Sequence, residues 1–368
     1  MEAVRIEEGQ ALDLRGDSRQ RGLGQAEAGD VAPAQVIAAT VARVAQARRA
    51  GAFNEEVRAY LVAQRRFAEM HDPWSLAELS GIAEGFGLDM DDLFDHLHLR
   101  IVGDLGEGAM LDGAPLDGDG CSALAIGAGE AGPVVAKNRD FSGTHLGVQT
   151  VFRHTGPDIA TGSMLCVGSL GSPGAYSSGM NGRGLMLADT QVGAKTHKMG
   201  WLRYFLMNRI LASCASVAEA LAFIRSVPHA GGGTLVLADA GGAVAAVELG
   251  ARQVAVEQKN RVLRTNHFVS KALAGDTLPP EDDRVAANSE TRLAFLSSAL
   301  PRLSGEVTEV MRLMARHADD EGRSAPVCQH AQGAEAQTIS SVVYSWRDRC
   351  LYFHEGTPCL GKWKRFAL

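Results

Sequence analysis

After residue 120 the chain carries three pairs of apolar runs that alternate with period two, and no other feature limits its fold as strongly. The first pair is "CSALAIG" and "PVVAKNRDF", flanking "AGEAG"; the second is "TLVLADAGGAVAAVELG", turning at "ADAGG"; the third is "TISSVVYSWRDRCLYFHEG", turning at "WRDR". Alternating runs closed by short turns read as β-hairpins. Two helical blocks lie between them, "GWLRYFLMNRILASCASVAEALAFIRSV" and "NSETRLAFLSSALPRLSGEVTEVMRLMARHA". Strand-rich parts with helices between them predict stacked sheets covered by helices.

Before residue 105 the character is different. From about Ala32 to Arg100 apolar residues recur at three- and four-residue spacing, through "PAQVIAATVARVAQARRA", "NEEVRAYLVAQRRFAEM", "SLAELSGIAEGFG" and "DMDDLFDHLHLR". These predict helices, with Asn54 and Ser75 as N-caps. The run "GDLGEGAMLDGAPLDGDG" is a loop by its Gly and Asp content. A later stretch, "RQVAVEQKNRVLRTNHF", reads as one apolar strand ending in the polar pair Asn266 and His267.

Several function classes fall away. The net charge is −7 and the terminal "GKWKRF" is too short for a basic patch, so neither nucleic acid nor a membrane is an expected partner. The N-terminus lacks an apolar signal core and no apolar stretch is long enough to span a bilayer, so a cytoplasmic location is expected. Cysteines 121, 166, 214, 328, 350 and 359 form no CxxC pair. A chain of 368 residues needs no disulfide staples, which fits a reducing compartment. "GSLGSPG" lacks the Gly-Lys-Ser/Thr of a phosphate loop, and "HAGGGT" precedes a strand rather than a helix. There is no HExxH, His96 and His98 merely alternate in "DHLHLR", and there is no GxSxG elbow, so Ser178 reads as structural. No metal and no organic cofactor is expected.

One cysteine stands apart. Cys166 and Cys214 sit in apolar runs, and Cys328, Cys350 and Cys359 have no acid or base near them in sequence. Such thiols are ordinarily small buried hydrophobes. Cys121 instead follows Gly120 where loop becomes strand, and faces Lys137, Asn138, Arg139 and Asp140 across the hairpin. A thiol attacks as thiolate and needs a base. Cutting the Gly120–Cys121 bond would free an α-amine of pKa about 7.7–8.0, beside the thiol it could deprotonate. The same thiol could make the cut by attacking the Gly120 carbonyl, where no side chain obstructs it.

With these residues in view, "GDGCSALAI" and "GPVVAKNRDF" resemble the start of the mature chain in N-terminal-nucleophile cysteine hydrolases. The closest resemblance is to the acyl-coenzyme A:6-aminopenicillanic acid acyltransferase (isopenicillin N acyltransferase-like) family; bile salt hydrolases and penicillin V acylases are more distant. "LRGDSRQRGLGQAEA", "SSGMNGRGLMLADTQV", "RTNHF", "SETRLAFL" and "TISSVVYSWRDRCLYFHEGTPC" resemble further blocks of that family, in order.

The resemblance implies an α+β fold, a four-layer αββα sandwich of antiparallel sheets. Residues 1–120 would form a largely helical α chain, retained after autocatalytic cleavage of a zymogen, and 121–368 the catalytic β chain. Cys121 would be nucleophile and base, Asp140 would hold its amine, Asn266 would supply an oxyanion donor and Arg292 would brace the site. Gln191 or Thr190 would stand near a second oxyanion position. Lys137 stands where bile salt hydrolases have arginine. Arg139 departs from an often aromatic position, placing charge at the site or pointing to solvent. Asn138 and His267 complete the candidate lining. The expected activity is hydrolysis of a small N-acyl amide through a thioester acyl-enzyme. The alternatives are transfer of an acyl group from a coenzyme A thioester to an amine, and a silent binding homologue. Assembly into a homo-oligomer is left open.

Overall fold

The computed structural model describes residues 4–28, 31–106, 110–111, 114–115, 120–127, 129, 131–278, 289–317, 327–331, 333 and 336–368. The N-terminal part runs β1 (Arg5–Glu8), β2 (Leu12–Arg15), α1 (Ser18–Gly24), α2 (Pro33–Ala39), α3 (Val41–Arg49), α4 (Glu55–His71), α5 (Pro73–Phe86), α6 (Met90–Leu97) and α7 (Leu99–Leu105). A short pair, β3 (Met110–Leu111) and β4 (Ala114–Pro115), follows. Then come β5 (Gly120–Ile126), β6 (Val134–Ser142), β7 (Gln149–Thr155), β8 (Met164–Ser169), β9 (Ser178–Asn181), β10 (Met186–Thr190), α8 (Arg203–Ser213) and α9 (Val217–Ser226). The remainder is β11 (Thr234–Ala238), β12 (Val244–Leu249), β13 (Val254–Gln258), β14 (Arg261–Arg264), α10 (Ser289–Ala299), α11 (Val307–Met314), β15 (Ala336–Ser345), β16 (Cys350–Glu355) and β17 (Lys362–Ala367).

One sheet is ordered β1-β17-β16-β15-β6-β5-β14, the other β13-β12-β11-β10-β9-β8-β7-β2. The pairings are antiparallel except β1 with β17 and β2 with β7. Period-two strands place successive side chains on opposite faces, and the core follows this rule. Ala123, Ala125 and Val135 pack against Leu165, Val167 and Ala188 of the facing sheet. The alternate residues Leu124, Ile126 and Val134 pack outward against Leu296, Val310 and Met311 of α10 and α11. Beyond the second sheet, Leu187, Leu235 and Val247 meet Leu79, Phe205 and Ile210 of the remaining helices. The layers are therefore helix, sheet, sheet, helix, the αββα order that the resemblance implies.

The N-terminal segment is built into both sheets: β1 and β2 each occupy an edge. Helix α1 crosses α5 at backbone contact. A Cβ on Gly22 would lie 2.0 Å from the Glu78 carbonyl oxygen, and one on Gly81 would lie 2.0 Å from that of Arg19.

Three local expectations change. Asp72, not Ser75, caps α5: its side chain accepts from the Ser75 amide and Pro73 fills the first turn, where proline's missing donor does no harm. Asn54 does cap α4, accepting from Val57 N at 2.9 Å. The single strand expected over "RQVAVEQKNRVLRTNHF" breaks at Lys259 and Asn260 into β13 and β14, on different sheets. The Asn260 carbonyl bonds Gly127 N at 2.8 Å, which anchors the crossing. The turn-like "YSSGMN" contains β9, a buried strand whose bare Gly179 admits α8: a Cβ there would meet Leu211 at 2.5 Å.

Candidate active site

Cys121 opens β5, is 1% exposed and belongs to no disulfide. Across the β5–β6 pair it stands opposite Arg139, while Gly120 stands opposite Asp140. Alternation puts Cys121, Lys137 and Arg139 on the inter-sheet face. Asn138 and Asp140 take the outer face, toward α11 and residues 327–330.

The backbone nitrogen of Cys121 donates to Asn266 Oδ1 at 2.9 Å. Arg292, fully buried on α10, donates to the Cys121 carbonyl at 2.6 Å, to Ser122 Oγ at 2.9 Å and to Asn266 Oδ1 at 2.6 Å. It is thus no helix-surface residue. The Asn266 Nδ2 group donates to the Gln191 carbonyl at 2.9 Å. Asn266 itself is positioned by its backbone N–H, which donates to Ser289 Oγ at 2.7 Å. The outer-face carboxylate, Asp140, accepts from Thr338 Oγ1 at 2.6 Å.

On the inter-sheet face the polar residues are held in a buried network. Lys137 pairs with Asp189, which also takes Arg203 Nε at 2.6 Å; Arg203 in turn donates to the Gln191 side chain. Burial alone would push the Asp189 carboxyl up. Lys137 and Arg203 outweigh that and hold it below the usual carboxylate range. Arg139 is 3% exposed, so it does not point to solvent. It donates to Gln149 and Ser169 and lies over the rings of Tyr176, at 4.9 Å, and Phe141, at 5.2 Å.

The N-terminal helices reach this region. Arg43 of α3 also lies over the Phe141 ring, at 4.7 Å, and His96 of α6 stacks on Tyr176. Burial, then Arg43 and Arg139, drive the His96 imidazole well below its usual range, so it is neutral. The same groups act on His145. Arg139, opposite Cys121 in the strand pair, and Arg43 thus set two guanidinium groups around Phe141.

Three candidates sit differently. The Thr190 hydroxyl is engaged by the Thr265 carbonyl at 2.6 Å and by Thr234 Oγ1 at 2.8 Å, so it is a strut rather than a site donor. Asn138 donates to the carbonyls of Met314 and Val327, tying β6 to the outer layer. His267 rests on Ser289 Oγ at 2.8 Å, and burial lowers its pKa. The sequence reading missed Ser289, Asp189 and Arg203. Only their charge or hydroxyl marked them, and their partners lie far off in the chain. Among the described residues a group able to hold a metal ion lies elsewhere, at His317, Cys328, His330 and Cys359.

The sequence pattern of the family described as acyl-coenzyme A:6-aminopenicillanic acid acyl-transferase matches residues 128–359. Among solved structures, the chain is similar to a variant of conjugated bile acid hydrolase from Clostridium perfringens, with 14% identity and a TM-score of 0.45 over 64% of this chain and 89% of that one. It is similar to penicillin V acylase from Agrobacterium tumefaciens, with 13% identity and a TM-score of 0.39 over 64% of this chain and 82% of that one. A Caenorhabditis elegans N-acylethanolamine-hydrolyzing acid amidase ortholog gives 13% identity and a TM-score of 0.41 over 61% of this chain and 92% of that one. No curated protein sequence matches the chain.

Proposed function

The chain belongs to the acyl-coenzyme A:6-aminopenicillanic acid acyl-transferase family, and on that premise we propose that it is a self-processing cysteine amidohydrolase. Cys121 attacks its own Gly120 carbonyl, the C–N bond breaks, and water hydrolyses the resulting thioester. Residues 1–120 and 121–368 then remain associated as two chains. The matched span begins after Cys121, so this assignment rests on the site's geometry and on the flanking motif.

The observation that carries it is the hold on the Cys121 nitrogen. That atom is the leaving group of the cleavage and the base of the later reaction. Asn266 Oδ1 accepts from it at 2.9 Å and Arg292 grips the adjoining carbonyl at 2.6 Å. Both contacts survive cleavage, so the new amine keeps its place beside the thiol. Asp140 stands opposite Gly120 in the strand pair, so its carboxylate is the anion nearest in register to the cleavage point.

The thiolate then attacks the carbonyl of a small N-acyl amide. The α-amine takes the thiol proton and returns it to the leaving nitrogen, and water releases the acid from the thioester. An amide carries two hydrogens. Asn266 can therefore serve as an oxyanion donor only in a geometry that keeps its bond to the Gln191 carbonyl.

The family's description favours a second reading, in which an amine rather than water accepts the acyl group from a coenzyme A thioester. A panel of N-acyl amides, assayed with and without coenzyme A thioesters and amine acceptors, separates the two. Acid release from amides in water alone is the expected result. Turnover that requires an amine acceptor would overturn hydrolysis in favour of transfer.

A further inference from the structure

Behind Asp140, on the outer face of its sheet, four metal-ligating side chains from three chain segments meet. His317 follows α11, Cys328 and His330 lie in the stretch 327–331, and Cys359 lies in the short helical turn Pro358–Leu360 between β16 and β17. Their donor atoms all fall within 4.8 Å of one another. His330 Nε2 lies 3.5 Å from Cys328 Sγ, 3.3 Å from Cys359 Sγ and 3.1 Å from His317 Nε2.

Hydrogen bonding does not account for this. One imidazole nitrogen carries either one proton or one lone pair, yet here it addresses three partners at once. A shared cation does account for it. Zinc–sulfur bonds of about 2.3 Å and zinc–nitrogen bonds of about 2.0–2.1 Å, at tetrahedral angles, give sulfur–nitrogen edges of about 3.5 Å and nitrogen–nitrogen edges of about 3.3 Å. The three separations at His330 lie within about 0.2 Å of those edges, and the wider ones, up to 4.8 Å, need only a small inward closure on the ion.

We propose that His317, Cys328, His330 and Cys359 form a structural site for zinc. Two thiolates and two neutral imidazoles balance the charge of the divalent ion and close its tetrahedron, leaving no open position for chemistry. Binding releases the two thiol protons. The spacing of the ligands is that of no zinc ribbon or finger, and Cys328 and Cys359 seemed partnerless in sequence although His330 is two residues from the first of them.

The site has a place in the architecture. Val327 and Cys328 both bond the Arg316 carbonyl, at 3.1 and 2.9 Å, and the Val327 carbonyl accepts from Asn138 at 3.0 Å. The Gln329 backbone N–H donates to Thr338 Oγ1 at 2.8 Å, and that hydroxyl donates to Asp140 Oδ1 at 2.6 Å. A metal at Cys328 therefore fixes the first member of a chain of contacts that ends on the carboxylate opposite Gly120. It acts as a positioning element and does not touch substrate.

The test uses full-length protein without a polyhistidine tag, expressed with zinc in the medium. Elemental mass spectrometry is expected to find one zinc per chain. The ion should persist in Cys121→Ala, which rules out capture by the reactive thiol, and should be lost in Cys328→Ser and in Cys359→Ser with a lowered thermal midpoint. Should those variants fail to fold, the wild-type protein still decides. Replacement by cobalt(II) should give a thiolate charge-transfer band and tetrahedral d–d bands. Protein that carries no stoichiometric metal, with every thiol titratable, would overturn the proposal. So would a Cys328–Cys359 disulfide in non-reducing peptide mass analysis.

Discussion

Arg292 Nη2 donates to Asn266 Oδ1 at 2.6 Å, and this contact fixes which way the Asn266 amide faces. A guanidinium has donors only, so the amide must turn its oxygen to Arg292 and its NH2 group to the Gln191 carbonyl. The same oxygen then receives the Cys121 backbone N–H. One buried arginine thus sets the orientation of the group that holds the future α-amine.

Arg292→Lys should therefore be far from conservative. A lysine head cannot reach the Cys121 carbonyl, Ser122 Oγ and Asn266 Oδ1 together. Each buried acceptor left without a donor costs about 1–3 kcal/mol. Thermal denaturation should show a clear loss of stability, and gel analysis should show slowed conversion to two chains.

Asn266→Ala removes the acceptor for the Cys121 nitrogen and any oxyanion donation. The expected loss in kcat is about 10²–10³-fold, the range for a single oxyanion-hole donor. Steady-state kinetics on fully cleaved protein check it. Unchanged kcat would remove Asn266 from the mechanism.

Asp189 pairs with both Lys137 and Arg203. Asp189→Asn would leave two buried cations without their counter-charge, at a cost of about 3–5 kcal/mol. Because the native carboxyl is held low, its contribution is present above the unfolded value and is lost as pH falls through the native one. Denaturant melts at pH 7 and near pH 3 should show the variant's deficit shrinking in acid.

The layers of this fold could be read from the sequence because three hairpins announced themselves by strict alternation. "CSALAIG" faces apolar surface on both sides, yet its turn residues and its partner run gave the pairing. Strands β7 to β10 escaped notice. Their small residues, such as Gly179 beneath Leu211, look like turns until a helix is known to press on them. For the site, the resemblance of "GPVVAKNRDF", "RTNHF" and "SETRLAFL" to family blocks singled out Asp140, Asn266 and Arg292, but not their contacts. That Asn266 takes the Cys121 nitrogen depends on Arg292 arriving from α10, 171 positions along the chain from Cys121. Nothing local in "SETRLAFL" indicates it. The cysteine and histidine cluster stayed hidden for the same reason: its ligands converge only once β16, β17 and α11 are in place.

Glu78 on α5 gives a second pH test, of opposite sign. Burial pushes its carboxyl from the usual 4.5 to about 7, against the pull of Arg21. Between those values the native state holds a proton that the unfolded state has lost, so stability falls as pH rises through that window. Glu78→Gln should flatten the slope and stabilise the protein above pH 7 by at most about 3 kcal/mol. Its oxygen can still accept from Gly174 N, as Glu78 does at 3.0 Å.

The central claim is that Cys121 becomes a chain terminus and works as one. Intact mass analysis of purified protein under denaturing, reducing conditions tests it most directly, run beside an activity assay on the same sample. The account predicts two fragments, 1–120 and 121–368, in active wild-type protein, and one inactive, unprocessed chain for Cys121→Ala. A wild-type chain that stays whole while turning over substrate would contradict it.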